Sequence, residues 1–334
     1  MARIAINGFG RIGRAFLRAA HGKPGIEIVA INDLTSADNL AYLLKYDSVY
    51  RRAPFPVSSQ EHMLIVDGVS IPVIAERDPL NLPWRDMNID IVVESTGFFT
   101  DGAKAHAHID AGAKKVVISA PGKGGGVETI LIGANEDKFG TCDITSNASC
   151  TTNAASPIIG ILDEVIGIER AVLSTTHGYT ASQALVDAPS VKDMKEGRAA
   201  ALNIVPTSTG AAIATTIAYP QLAGKFDGIS LRVPVPAGSI VDITFVAKRA
   251  TSVEEINTAL RAAAATDRWK RVFTVSDEPL VSSDILATPY GSIAALDMTR
   301  VVDGTLVKVL AWYDNEMGYV HTLIEHVLEV AKRI

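Results

Sequence analysis

The sequence predicts an α/β protein of two domains, a parallel sheet flanked by helices followed by an α+β domain built on a mixed or antiparallel sheet. Three observations carry that expectation. Up to about residue 149, short apolar strand-like runs alternate with helical patterns, the signature of a parallel sheet with helices on both faces. Beyond residue 150 the runs lengthen and are separated by Pro/Gly turns with few helices. The length, 334 residues, suits about two domains, each large enough for its own core.

In chain order, Arg3-Ile4-Ala5-Ile6 is the first strand, and Arg14 to Ala20 a helix with Ala15, Phe16 and Ala19 free to pack. Ile28 to Ile31 is the second strand; Ile89 to Val93, a helix from Ala103 to Ala111, and Val116 to Ser119 continue the alternation. The segment Cys150 to Ile166 reads as a helix because Ile158, Ile161, Leu162 and Val165 recur at helical spacing. In the second half, strands are expected at Ala171–Ser174, Ile229–Val233, Ile240–Val246 and Thr305–Trp312. Met317 to Lys332 reads as an amphipathic helix with Val320, Leu323, Ile324, Val327 and Leu328 on one side.

Composition narrows the function. The hydrophobic fraction is 48% and the charged fraction 20%, as in ordinary globular proteins, and the sparse aromatics (6%) leave the cores to Ala, Val, Ile and Leu. A net charge of −6 without a basic block argues against nucleic acid as the main partner. Arg3, Arg11, Arg14 and Arg18 rule out a signal peptide at the N-terminus. No apolar run approaches the ~18 residues of a membrane span. Two cysteines, Cys142 and Cys150, make no disulfide framework and fit a reducing, cytoplasmic setting. No metal is expected.

Two motifs carry the chemistry. Gly8-Phe9-Gly10-Arg11-Ile12-Gly13 stands between a strand and a helix, and Asp33 follows Gly13 by 20 positions, at the end of the second strand. That is the full context of a Rossmann-type dinucleotide site: Gly8 for the tight turn, Gly10 for close approach of the backbone to pyrophosphate, Gly13 for helix–strand packing, Asp33 for the ribose hydroxyls. A carboxylate at Asp33 repels a 2′-phosphate, and Leu34-Thr35-Ser36-Ala37 offers no cation to hold one, so NAD is expected over NADP. The second motif is Ser149-Cys150-Thr151-Thr152-Asn153, with His177 ending a later strand. A cysteine at the positive end of a helix, with a histidine to hold its proton, is the arrangement that makes a thiol a nucleophile, and an acidic thiol is expected. A lone cysteine also fits a small buried apolar residue; Cys142, which lacks the flanking Thr-Thr-Asn, is read that way.

These pieces resemble the phosphorylating glyceraldehyde-3-phosphate dehydrogenase family, together with Leu44-Lys45-Tyr46-Asp47-Ser48, Glu94-Ser95-Thr96-Gly97-Phe98, Ser119-Ala120-Pro121, Tyr179-Thr180, Pro206 to Gly210, Arg232-Val233-Pro234 and Trp312 to Glu316. The resemblance runs in order along essentially the whole chain. It implies that Cys150 attacks the aldehyde, that His177 takes the hydroxyl proton while hydride passes to NAD, and that inorganic phosphate cleaves the thioester. Oxyanion charge would be met by the Cys150 N–H and by His177. Position by position, it places the Arg11 and Ile12 backbone on pyrophosphate, and Arg77, Thr96 and Phe98 around adenine. Ser119 falls near the nicotinamide ribose, Asn315 on the carboxamide, and Tyr319 beside the ring. Ser149, Thr151, Thr209 and Gly210 would surround the attacking phosphate, and Thr180 and Arg232 the substrate phosphate. Arg232 also fits a strand-edge ion pair, and Thr209-Gly210 a helix cap before Ala211-Ala212-Ile213.

The resemblance further implies that the last helix returns to the nucleotide domain, giving 1–149 with 316–334 as that domain and 150–315 as the catalytic one. It makes Gly178 to about Asn203 a long loop along a neighbouring subunit, and hence a homotetramer. Erythrose-4-phosphate dehydrogenase shares this fold and cysteine. Aspartate-semialdehyde dehydrogenase combines similar parts without Trp312 to Glu316, and a redox-sensing or binding relative without turnover is a reading of another class. The chain departs from the family pattern at Ser182, where Asp is usual, at Glu196, where Arg is usual, and at Ala188-Pro189, a hybrid of NAD and NADP patterns that leaves room for some NADP use.

Overall fold

Ile4, Ala5, Ile6, Val92, Val93, Val116 and Val117 are buried at consecutive positions rather than alternate ones, as strands covered by helices on both faces must be. The computed structural model describes residues 1–191 and 193–334 and divides them into two units. The first comprises Met1–Ile130, Glu136–Ala148 and Leu323–Ile334. Its sheet has nine strands, in the order Val127–Thr129, Ile144–Ser146, Lys115–Ile118, Ile91–Glu94, Ala2–Asn7, Ile26–Asn32, Val69–Ile74, Met63–Val66 and Val57–Gln60. All pairs are parallel except the last two, which form an antiparallel meander. The meander was not expected from the alternation pattern; its turn residues, Glu61 and Asp67-Gly68, sit at positive φ and make the tight reversals that parallel crossovers do not need. Asn7, Asn32 and Glu94 end three adjacent strands in one register row, so the carboxyl-end crevice of the sheet is lined by polar side chains.

The helix Arg11–Ala20 starts at Gly10 and buries Gly13, Ala15, Phe16 and Leu17. The stretch expected as one helix from Ala103 to Ala111 is two turns, Gly102–Ala105 and Ala107–Asp110, the first capped by Asp101, whose carboxylate accepts from the Ala103 N–H at 3.0 Å.

The second unit comprises Leu131–Asn135 and Ser149–Thr322. Its sheet runs Val205–Ser208, Phe226–Val233, Ile168–Gly178, Ser239–Ala247, Leu306–Tyr313, Ser292–Ala295 and Phe273–Ser276, with Arg300–Val302 added beside Leu306–Tyr313. Two pairs are parallel and the rest antiparallel, the mixed sheet that the sequence predicts. Ser239–Ala247 alternates buried and half-buried residues without a break, because one face packs on helices and the other stays open. The helices Cys150–Val165, Ala211–Ala218 and Val253–Ala264 lie in this unit. The last helix, Met317–Ala331, begins in the second unit and passes into the first at Leu323, within the helix rather than ahead of it.

Candidate active site

The helix that carries Cys150 begins where the sequence places it. Ser149 is its N-cap, extended at φ −105° and ψ 165°, and its Oγ accepts the Thr152 N–H at 3.1 Å. Cys150 is the first helical residue, among the N–H groups that have no intrahelical partner. Ala148, just before the cap, sits at φ +55°, a conformation that costs a non-glycine residue roughly 1 kcal/mol or more and turns the chain sharply into the helix. His177 ends the buried face of the strand Ile168–Gly178. Its Nε2 lies 3.4 Å from Cys150 Sγ, so the two residues are within hydrogen-bonding reach.

Burial works against charge on both members. It pushes the Cys150 thiol up, opposed by the Arg232 guanidinium and by hydrogen bonds from Thr151. It also brings His177 down to about 4, with Arg232 adding to that fall. Desolvation thus opposes the acidic thiol expected from the helix terminus and favours the neutral form of both groups. Such a pair suits general-base chemistry, in which Nε2 takes the thiol proton as sulfur attacks.

The other ring nitrogen has two neighbours. His177 Nδ1 is 2.6 Å from the Gly178 carbonyl and 2.6 Å from Arg232 Nη1. With its proton on Nδ1, given to Gly178 O, the ring presents a bare Nε2 to sulfur. With Nδ1 accepting from Arg232, the proton sits on Nε2 instead. Arg232 thus faces His177, with which its strand pairs in register, rather than forming the strand-edge ion pair.

Sequence reasoning missed two residues here. Tyr313 is buried, packs edge-on against the His177 ring with centroids 5.9 Å apart, and its hydroxyl lies 2.9 Å from Thr151 Oγ1 and 2.7 Å from Thr175 Oγ1. One phenol therefore ties the start of the helix that carries Cys150 to the strand that carries His177. Asp314, also buried, accepts from the N–H groups of Glu316 and Met317, at 2.9 Å each, and from Ala287 N–H at 2.8 Å. An Asp ahead of an apolar helix is a legible capping signal; Tyr313 had none beyond its place in a strand.

Asn315 is held by Oδ1, which accepts from Gly238 N–H and Ser239 Oγ at 3.0 Å each, so its amide donors remain for a ligand. Tyr319 is buried in the last helix. Thr209 Oγ1 accepts the Ala211 N–H at 3.2 Å, one residue ahead of Gly210, the N-cap of that helix. Thr180 Oγ1 pairs with Ser182 Oγ at 3.0 Å. Lys195 faces Asp193 at 3.6 Å, and Glu196 is half-buried in the turn Met194–Gly197.

In the first unit a cleft of about 510 Å³ gathers Gly8, Gly10, Asp33, Arg77, Thr96 and Phe98 from the expected set. Asp33 is held open-handed: Oδ2 accepts from Phe9 N–H at 2.8 Å and Oδ1 from Thr35 N–H at 2.9 Å. A Cβ on Gly13 would stand 2.3 Å from the Gly8 carbonyl, whereas one on Gly10 would meet nothing within 4 Å. Helix and strand are thus in closest packing at Gly13, and Gly10 leaves space for a ligand against the backbone, as a pyrophosphate requires. The residues fit a dinucleotide. Arg11 turns its side chain away to Asp47 and the Tyr50 ring, leaving only its backbone, like that of Ile12, at the helix start. Ser119 lies outside the lining of this cleft.

A dinucleotide cleft of this build, together with a thiol–imidazole pair, defines the class: the protein is an NAD-dependent dehydrogenase. Residues 2–102 match the family described as glyceraldehyde 3-phosphate dehydrogenase, NAD binding domain, and residues 149–315 its C-terminal domain. Glyceraldehyde-3-phosphate dehydrogenase of Mycobacterium avium is 48% identical over 340 aligned positions, covering 99% of both chains. That of Geobacillus stearothermophilus is 47% identical over 333 (99% of this chain, 98% of the relative), and that of Zymomonas mobilis 45% over 335 (99% of both). The chain belongs to the glyceraldehyde-3-phosphate dehydrogenase family.

Proposed function

We propose that the protein oxidises glyceraldehyde 3-phosphate to 1,3-bisphosphoglycerate, with inorganic phosphate as second substrate. The observation that carries this reading is the 3.4 Å approach of His177 Nε2 to Cys150 Sγ at a helix N-terminus, in a chain whose relatives bear that enzyme's name. Cys150 adds to the aldehyde carbon as Nε2 takes the thiol proton; the developing oxyanion is met by the Cys150 N–H and by the protonated Nε2. Nε2 passes that proton to the oxyanion, giving a thiohemiacetal hydroxyl, and takes it back as the carbon gives up its hydride, leaving an acyl group on sulfur. NAD, when bound, is the acceptor of the hydride that this step releases; Gly8, Gly10, the Arg11, Ile12 and Gly13 backbone, Asp33, Arg77, Thr96, Phe98, Ser119, Asn315 and Tyr319 are the residues proposed to hold it. Phosphate attacks the thioester from a position bounded by Ser149, Thr151, Thr209 and Gly210, while Thr180 and Arg232 receive the substrate's own phosphate.

As domains we take 1–149 with 316–334 and 150–315, a division supported by the two compact units. We read the enzyme as a cytoplasmic homotetramer. Val172, Ile229 and Leu306 are exposed on the open face of the second sheet, and Leu185, Val191, Met194, Leu202 and Ile204 along the loop 178–204; apolar surface of that extent supports subunit packing. No helix among the described residues is long and apolar enough to cross a membrane.

The test is NADH absorbance on mixing protein, NAD, glyceraldehyde 3-phosphate and phosphate. Omitting phosphate should leave a burst of one equivalent per active site followed by near arrest; full turnover without phosphate or arsenate would reject thioester phosphorolysis. Erythrose 4-phosphate is kept as a second substrate because Ser182 and Glu196 alter the loop beside Thr180, and the ratio of the two aldehydes' kcat/KM decides between them.

A further inference from the structure

The two neighbours of His177 Nδ1 make opposite demands on it. A ring nitrogen has one in-plane position, which holds either a lone pair or a proton. Gly178 O, 2.6 Å away, can only accept a proton, whereas Arg232 Nη1, also 2.6 Å away, can only donate one. Either tautomer therefore satisfies one neighbour and turns a like group toward the other. With only protein around it, the guanidinium prevails. Its hydrogen bond to Nδ1 is charge-assisted, roughly twice as strong as a neutral one to Gly178. The carbonyl gives up less, because Arg232 Nη1 also donates to it at 3.4 Å. The proton then sits on Nε2, 3.4 Å from Cys150 Sγ, and a ring in that state cannot take the thiol proton.

A phosphate dianion reverses the balance. Arg232 Nε is buried and has no partner among the described residues, so the guanidinium is only partly satisfied by His177 and Gly178. Phosphate oxygens offer its fork of donors full negative charge in place of one neutral ring nitrogen. Once Arg232 turns to them, Nδ1 keeps only the Gly178 carbonyl. A proton leaves Nε2 to solvent and another is taken up on Nδ1, with no net change of charge, and Nε2 then faces sulfur as a bare base.

We propose that the substrate's phosphate, by drawing Arg232 off Nδ1, selects the His177 tautomer that can act as general base, so that Arg232 is a positioning residue for His177 as well as a phosphate ligand. This rests on the reading that Arg232 receives the substrate's phosphate. The test is nitrogen-15 spectroscopy of the full enzyme with labelled histidine, in which a bare ring nitrogen resonates far from a protonated one. The signals lost in His177→Asn identify His177 among the seven histidines. The probe is glycerol 3-phosphate, which carries the phosphate and no aldehyde, with glycerol as its control. Nδ1 should be the bare nitrogen in the free enzyme and with glycerol, and Nε2 with glycerol 3-phosphate. Arg232→Leu should show a bare Nε2 before any probe is added. The same bare nitrogen with and without glycerol 3-phosphate, or a bare Nδ1 in Arg232→Leu, would overturn the proposal. Calorimetry separates the two readings: glycerol 3-phosphate that binds the parent without exchanging the bare nitrogen removes the tautomer switch alone, and failure to bind removes the substrate-phosphate site with it.

Discussion

Acidification should destabilise this protein through two buried histidines, and the size of the effect follows from their surroundings. His326 is fully buried, with Nε2 2.7 Å from Thr145 Oγ1 and the Phe139 ring edge-on at 4.8 Å. Burial brings it from 6.5 down to about 3, and His177 to about 4. Both values fall below those of the unfolded chain, so between pH 6.5 and those values the unfolded state binds more protons than the native state. Stability therefore rises with pH across that window and is lost as pH falls through it. Each ring costs the fold about 2 kcal/mol on going from pH 7 to pH 5, from the linkage relation at about 1.4 kcal/mol per unit. The perturbation is His326→Gln, which keeps a hydrogen-bonding group toward Thr145 and does not titrate. Urea unfolding at pH 7 and pH 5, at one protein concentration, measures the drop in stability for parent and variant. The variant's drop should be smaller by about 2 kcal/mol, whatever its absolute stability at pH 7. Equal drops would show that His326 is protonated as easily in the fold as outside it, and the burial argument would fail.

Other outcomes follow from the site. His177→Asn should lower kcat by roughly 10²- to 10⁴-fold, the usual weight of a general base, measured by steady-state NADH formation; a loss under tenfold would remove His177 from that role. With burial pushing the Cys150 thiol up, iodoacetamide alkylation of the ligand-free enzyme should still be accelerating between pH 7 and pH 9, and a rate already flat from pH 6 would mean that the helix terminus wins after all. Tyr313→Phe leaves the Thr151 and Thr175 hydroxyls without their shared partner and should destabilise by about 1–3 kcal/mol, read as a urea midpoint shift; no shift would show that the two threonines find other partners. Glu196→Arg replaces a carboxylate by a cation in the loop turn and should lower KM for phosphate or for glyceraldehyde 3-phosphate severalfold. An unchanged pair of KM values would place Glu196 away from both anions.

The local parts of this fold were legible because their signals are local. Gly8, Gly10 and Gly13 with Asp33 report backbone geometry at fixed spacing, and the helix from Cys150 announces itself by Ser149 and by apolar residues at helical period. The helix from Ala103 was less so: the apolar pattern carried no sign of its interruption at His106. The meander Val57–Ile74 escaped because its strands are short and half-exposed, with too few residues to establish a period of two.

What the sequence determined by itself was identity and order: which thiol, which imidazole, which acid at the end of the second strand, and the succession of a parallel sheet by a mixed one. Those depend on residue type and spacing along one chain. Tertiary structure decided the charge states and the partners. Cys150 and His177, far apart in sequence, meet in a place dry enough to favour the neutral forms of both, against the expectation from the helix terminus alone. Arg232 reaches His177 because two strands pair in register. Glu94 is buried against Asn7 and His108, and His108 against Trp84, because separate elements converge there. Desolvation and hydrogen-bond direction are properties of a site's whole surroundings, and those surroundings exist only once the chain has folded.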